Sequence, residues 1–111
     1  MMQQDGTLSV DEAMALLWAR FLPHLHERVR VLEAASGALL DETFAPAACA
    51  EGGAAAHKLA GVLGSFGLHA GTHLAREAEA LCSDVAQPDP SASARVAEIA
   101  SQIRAMLTER A

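Results

Sequence analysis

The chain has 111 residues, of which 51% are apolar, with no Tyr, two Cys and a formal charge of −6. That length supports one ordinary domain with a real core, and the Ala- and Leu-rich, β-branch-poor composition favours helix over strand. The acidic balance and scattered Lys and Arg exclude a nucleic-acid surface, which needs a basic stripe, and no stretch reaches the roughly 20 apolar residues that span a bilayer.

Residues 1–8 are expected to fray, with a single helical domain over 9–110. Ser9 and Glu12, three apart, form a capping box that opens the first helix near Val10. Met14, Leu17, Trp18, Phe21, Leu22 and Leu25 keep helical spacing, with Trp18 and Phe21 read as core or, if one is exposed, as part of a docking patch. Pro23 lacks an amide hydrogen, so a kink or a break between two helices is expected there. Beyond it, Leu25, Val29, Leu32, Ala35 and Leu39 continue the apolar stripe to about Leu40, His24 and His26 are expected in solvent, and Asp41–Thr43 form a turn.

The second main helix runs from about Phe44 to Ser65, with Pro46 in its first turn. Gly52, Gly53, Gly61 and Gly64 each weaken it by up to about 1 kcal/mol relative to Ala. Four such costs in one helix demand a reason. Gly67 caps its end, and Leu68 to Cys82 form a further helix with Leu74, Ala75, Ala78 and Leu81 inward. Gln87–Pro90 is a loop, after which Ser91 or Ser93 caps a last helix with Val96, Ile99, Ile103, Met106 and Leu107 on its apolar face. The fold class is therefore all-α: an antiparallel up-down four-helix bundle with a short or kinked N-terminal helix.

On a helical wheel, advancing about 100° per residue, Ala48, Ala55, Leu59, Val62, Leu63 and Phe66 form the core stripe of the second helix and His57 points the other way. Its same-face neighbours are Gly53, Ala54, Ala60 and Gly61, with Ala50 and Gly64 two turns off. A solvated face would ordinarily carry Lys, Glu, Arg or Gln, so this stripe is cleared for a partner to reach the imidazole. A neutral imidazole, with an ordinary pKa of about 6.5, is a competent nucleophile, and in-line attack on phosphorus needs such an open path.

The run His57-Lys58-Leu59-Ala60-Gly61-Val62-Leu63-Gly64-Ser65-Phe66-Gly67 resembles the signature of the histidine phosphotransfer (HPt) domain through His57, Leu59, Gly61, Gly64 and Gly67. The likeness extends from roughly Glu12 to Leu107. It implies a four-helix bundle that relays a phosphoryl group between receiver-domain aspartates through phosphohistidine at His57, as a carrier without turnover of its own. Its partners would be response-regulator receivers or a hybrid histidine kinase, docking over Gly53, Ala54, Ala60, Gly61 and Gly64. It implies no intrinsic cofactor, with Mg²⁺ supplied by the receiver. The family's customary lysine three residues after the histidine is replaced here by Ala60, leaving Lys58 as the candidate phosphate helper.

Two other readings stand beside this one. A docking domain of the same fold could bind a receiver or kinase without accepting phosphate, as the missing lysine suggests. A metal-binding bundle could use His69 and His73, four apart, although no third ligand is evident and Glu77 could equally accept a surface hydrogen bond. Cys49 and Cys82 lack metal-type spacing and are expected to be buried, reduced thiols, in keeping with a cytoplasmic, free-standing monomer.

Overall fold

The computed structural model describes residues 8–40, 42 and 44–110. The expected fraying of residues 1–8 and the turn at Asp41–Thr43 therefore lie largely outside the described residues.

Four helices follow one another: α1 (Val10–Ala38), α2 (Pro46–Ser65), α3 (His69–Cys82) and α4 (Pro90–Arg110). Each packs on its chain neighbours and α4 returns to α1, closing an up-down ring. The capping box is present: Glu12 N–H donates to Ser9 Oγ at 3.1 Å, and Ser9 N–H donates to Glu12 Oε1 at 2.9 Å. Pro46 sits in the first turn of α2, where no donor is needed. The end of α2 is a Schellman turn. Gly67 takes φ +78°, and Leu68 N–H donates to Leu63 O at 2.9 Å while Gly67 N–H donates to Gly64 O at 3.0 Å.

Two expectations change. Pro23 neither breaks α1 nor starts a separate helix: α1 is continuous across it. Pro23 is exposed, and so is Ala19, whose carbonyl loses its usual partner on the solvent side, while Trp18 and Leu25 keep the buried stripe in register on either side. Nor does Ser91 or Ser93 cap α4. Asp89 does so, its Oδ1 accepting from Ala92 N–H at 3.0 Å. Ser93 is buried instead, where it and Ser36 each donate to the other's carbonyl, at 2.7 and 2.9 Å, and so pair α1 with α4 without an orphaned polar atom.

The core is built from Leu25, Val29 and Leu32 of α1, Leu59 and Leu63 of α2, and Val96, Ile99, Ile103 and Leu107 of α4, all fully buried. Each such side chain contributes about 1.5–3 kcal/mol on burial. The inner face of α3 is thinner, made of Ala75, Ala78 and Cys82, and this lets its backbone lie close against α2. At the far end Trp18 meets Phe66 edge-on at 5.1 Å, and the Arg110 guanidinium lies 4.9 Å over the Trp18 ring. His26 is half-buried rather than solvated, because Arg104 crosses from α4 to its Nδ1 at 3.2 Å and to Glu33 at 3.0 Å.

Candidate functional site

α2 presents His57 midway along its length with 75% of the side chain exposed. The core stripe through Leu59 and Leu63 fixes this direction, since both are fully buried on the other side of the helix. Lys58, Ala50, Ala54 and Gly61 are also exposed.

The bare face is narrower than the wheel implies. α3 packs against one flank of the His57 face, not against the opposite side, and covers part of the small-residue stripe. Ala60 is buried at 5% exposure, and its carbonyl accepts from the Thr72 hydroxyl at 2.9 Å. Ala60 is therefore no part of the exposed face, and a lysine side chain there would have to emerge from beneath α3. Gly53 and Gly64 are half-buried against the same helix: a Cβ at Gly53 would lie 3.6 Å from Cys82 Cβ, and one at Gly64 would lie 3.2 Å from Thr72 Oγ1.

The glycines thus have two different reasons. Gly52 lets α1 approach α2 and Gly64 lets α3 do so, whereas a Cβ at Gly53 would make only ordinary contact with α3. Gly61 serves no such approach, because a Cβ there would meet nothing within 4 Å. Gly61→Ala is accordingly expected to raise stability by up to about 1 kcal/mol, read as a higher urea midpoint with an unchanged slope. A lower midpoint would show that the glycine serves packing after all.

His57 is also not alone. Glu79 of α3 places Oε2 3.1 Å from His57 Nδ1. An ionised carboxylate can only accept, so in the neutral imidazole this contact assigns the hydrogen to Nδ1 and leaves Nε2 with its lone pair. This is the residue that sequence reasoning missed. Its signal was the stripe Ala75, Ala78, Glu79, Cys82 on α3, spaced i, i+3, i+4, i+7, in which a carboxylate stands at the edge of an otherwise apolar face.

Beside His57 lies an open hollow of about 620 Å³ between α2, the end of α3 and the loop after it. Its charged lining consists of Lys58 against Glu79 and Asp84, so Lys58 is the one cation on its wall among the described residues. The inner wall holds Cys49 and Cys82, both free and buried. Burial first, and the neighbouring Cys49 second, push the Cys82 thiol up to about 11, so it is neutral at physiological pH.

The other histidines on this side of the molecule do not assemble a site. His69 and His73 are exposed, and Glu77 turns to α4, where Arg95 binds it through two hydrogen bonds of 2.6 and 2.8 Å. Those bonds hold the Glu77 carboxyl below its ordinary range. Among the described residues no three His, Cys, Asp or Glu side chains come together as a metal site.

A sequence model of the Hpt domain matches residues 16–111. The chain belongs to the Hpt domain family. Hpt domains are phosphotransfer carrier modules that work with receiver domains and histidine kinases in phosphorelays. No curated protein and no solved structure matches the chain significantly. The four-helix architecture is that of an Hpt domain. Among the described residues, no helix of this Hpt domain is long and apolar enough to cross a membrane.

Proposed function

We propose that this Hpt domain relays a phosphoryl group through His57, accepting it from the aspartyl phosphate of one receiver and passing it to the aspartate of another. The observation that carries this reading is an imidazole 75% exposed whose Nδ1 is already engaged by Glu79. In the forward step the Nε2 lone pair attacks phosphorus in line. The bond from phosphorus to the donor aspartate breaks, and its electron pair leaves with the carboxylate. Nδ1–H then carries the charge that develops on the ring, and the Glu79 carboxylate balances it. The reverse step, onto a second receiver, regenerates the neutral imidazole.

This chain contributes the positioned nucleophile and a docking surface. Mg²⁺ bound by the receiver would supply the charge that neutralises the phosphoryl oxygens during transfer. With Ala60 in place of the family's lysine and only Lys58 on the wall of the hollow, few cations stabilise the phosphohistidine. A weakly held phosphoryl group suits onward transfer. Docking would use the exposed Ala54 and Gly61, with Gly53 and Gly64 at the edge where α3 begins to cover the face.

The test is incubation with phosphorylated receivers and Mg²⁺, scoring acid-labile, base-stable label. The wild type is expected to gain label, and His57→Gln to gain none. Label that survives this substitution would place the reaction elsewhere. Intact receiver binding without any label on the wild type would favour a docking-only module. Gly61→Gln should remain folded yet slow transfer about tenfold, because its side chain would project into space that only a partner fills.

A further inference from the structure

Most of the chain's eight Lys and Arg side chains are engaged or stand away from the imidazole. Arg30 pairs with Glu27, Arg95 with Glu77 and Glu98, and Arg104 with Glu33, while the Arg110 guanidinium covers the Trp18 and Phe66 rings. Arg20 and Arg28 belong to α1, whose Ala35 meets α2 at Gly52, about 140° round that helix from His57. That leaves Lys58 and Arg76 on the two helices that form the His57 face, and among the described residues neither has a hydrogen bond or ion pair.

The register of α3 on α2 brings Arg76 close to His57. Two contacts fix that register: the Thr72 hydroxyl donates to Ala60 O at 2.9 Å, and Glu79 Oε2 lies 3.1 Å from His57 Nδ1. Arg76 falls between them, four residues after Thr72 and three before Glu79, on the solvent side of the same edge of α3, and it is exposed. It therefore stands beside Ala60, about 4.5 Å along the axis from the level of His57. The hollow with Lys58 on its wall opens on the other side of His57, toward Pro46 and Cys49 at the start of α2. Arg95 holds the adjacent Glu77 and His57 engages Glu79, so neither carboxylate neutralises Arg76.

We propose that Arg76 binds the phosphoryl group carried by His57, an inference that rests on the relay through that residue. A phosphoryl group on Nε2 brings about two negative charges to a face that already holds the Glu79 carboxylate. Glu79 balances the ring but repels the phosphoryl oxygens, so the loaded state needs cations beyond the imidazole. Lys58 supplies one from the hollow, and Arg76 supplies the second from α3, on the opposite side. The planar guanidinium matches two phosphoryl oxygens at once, and its long stem lets it reach across from a neighbouring helix. Arg76 has no partner until His57 is loaded. Phosphorylation provides it.

The test loads His57 of the full 111-residue chain from two donors, a phosphorylated receiver with Mg²⁺ and the small molecule phosphoramidate. With phosphoramidate, Nε2 attacks phosphorus, the phosphorus–nitrogen bond breaks and its electron pair leaves with ammonia, so no protein docks. Arg76→Gln should lower the steady share of labelled His57 about tenfold with either donor, and leave the melting temperature unchanged because the side chain is exposed and unpaired. Arg76→Lys, which keeps the charge and loses the fork, should recover part of the label. Arg20→Gln removes an equal charge from α1 and should change nothing. Full labelling of Arg76→Gln overturns the proposal, as does an equal loss in Arg20→Gln. A loss confined to the receiver overturns it too, by making Arg76 a docking contact. A wild type labelled by neither donor would instead sink the relay itself, and this inference with it.

Discussion

Gly52→Ala is expected to lower the unfolding free energy by about 2–3 kcal/mol, the range of an overpacked core. A Cβ at Gly52 would collide with the Cβ of Ala35 and reach Cys82 Sγ at 3.5 Å. Neither Cβ can rotate away, so α1 and α2 must part. The estimate already allows for the roughly 1 kcal/mol that alanine gains over glycine in a helix. For a domain of this size, a loss of that order lowers the melting temperature by roughly 10 °C. The double variant Gly52→Ala with Ala35→Gly should recover most of the loss, because it removes the atom that is struck. Failure of that rescue would mean that the clash lies with some other part of the α1/α2 crossing. The contrast with Gly61→Ala separates a glycine required inside the protein from one required outside it.

The second large effect is on transfer. Replacing Glu79 with alanine should slow phosphorylation of His57 by about one to two orders of magnitude, while leaving stability within about 0.5 kcal/mol. In the proposed relay the carboxylate, 3.1 Å from Nδ1, would act through the imidazole: it would hold the hydrogen on Nδ1, keep Nε2 as the nucleophile and balance the charge that forms on the ring. Glu79→Gln retains an oxygen that can accept from Nδ1 but loses the charge, so its rate should fall between wild type and alanine. Nitrogen chemical shifts of His57 give an independent measure, since the wild type should be dominated by the Nδ1–H tautomer and the alanine variant should not. An unchanged tautomer balance with an unchanged rate would leave Glu79 as a surface contact only.

The sequence was most informative where the local physics decides the answer alone. The capping box at Ser9 and Glu12, the first-turn Pro46 and the left-handed Gly67 are short-range features, and each lies where composition and spacing put it. The direction of His57 was also legible. Leu59 and Leu63 must be buried, and on a helix that alone turns His57 outward.

Of the kink or break expected at Pro23, the break does not occur, because the effect of a proline depends on what surrounds it. On an exposed face with the core stripe in register on both sides, one lost hydrogen bond is left to solvent and the helix runs on. Ser93 shows the same dependence, since a hydroxyl near a helix start can cap it or, as here, reach a buried carbonyl of another helix.

By itself, then, the sequence determined the helical class, the ends of α2 and the side of α2 on which His57 stands, because these follow from propensity, caps and periodicity within one element. What surrounds the imidazole was decided only in three dimensions. A helical wheel cannot say which flank a neighbouring helix will cover. The packing of α3 buries Ala60, half-covers Gly53 and Gly64, and brings Glu79 to His57 from 22 residues away.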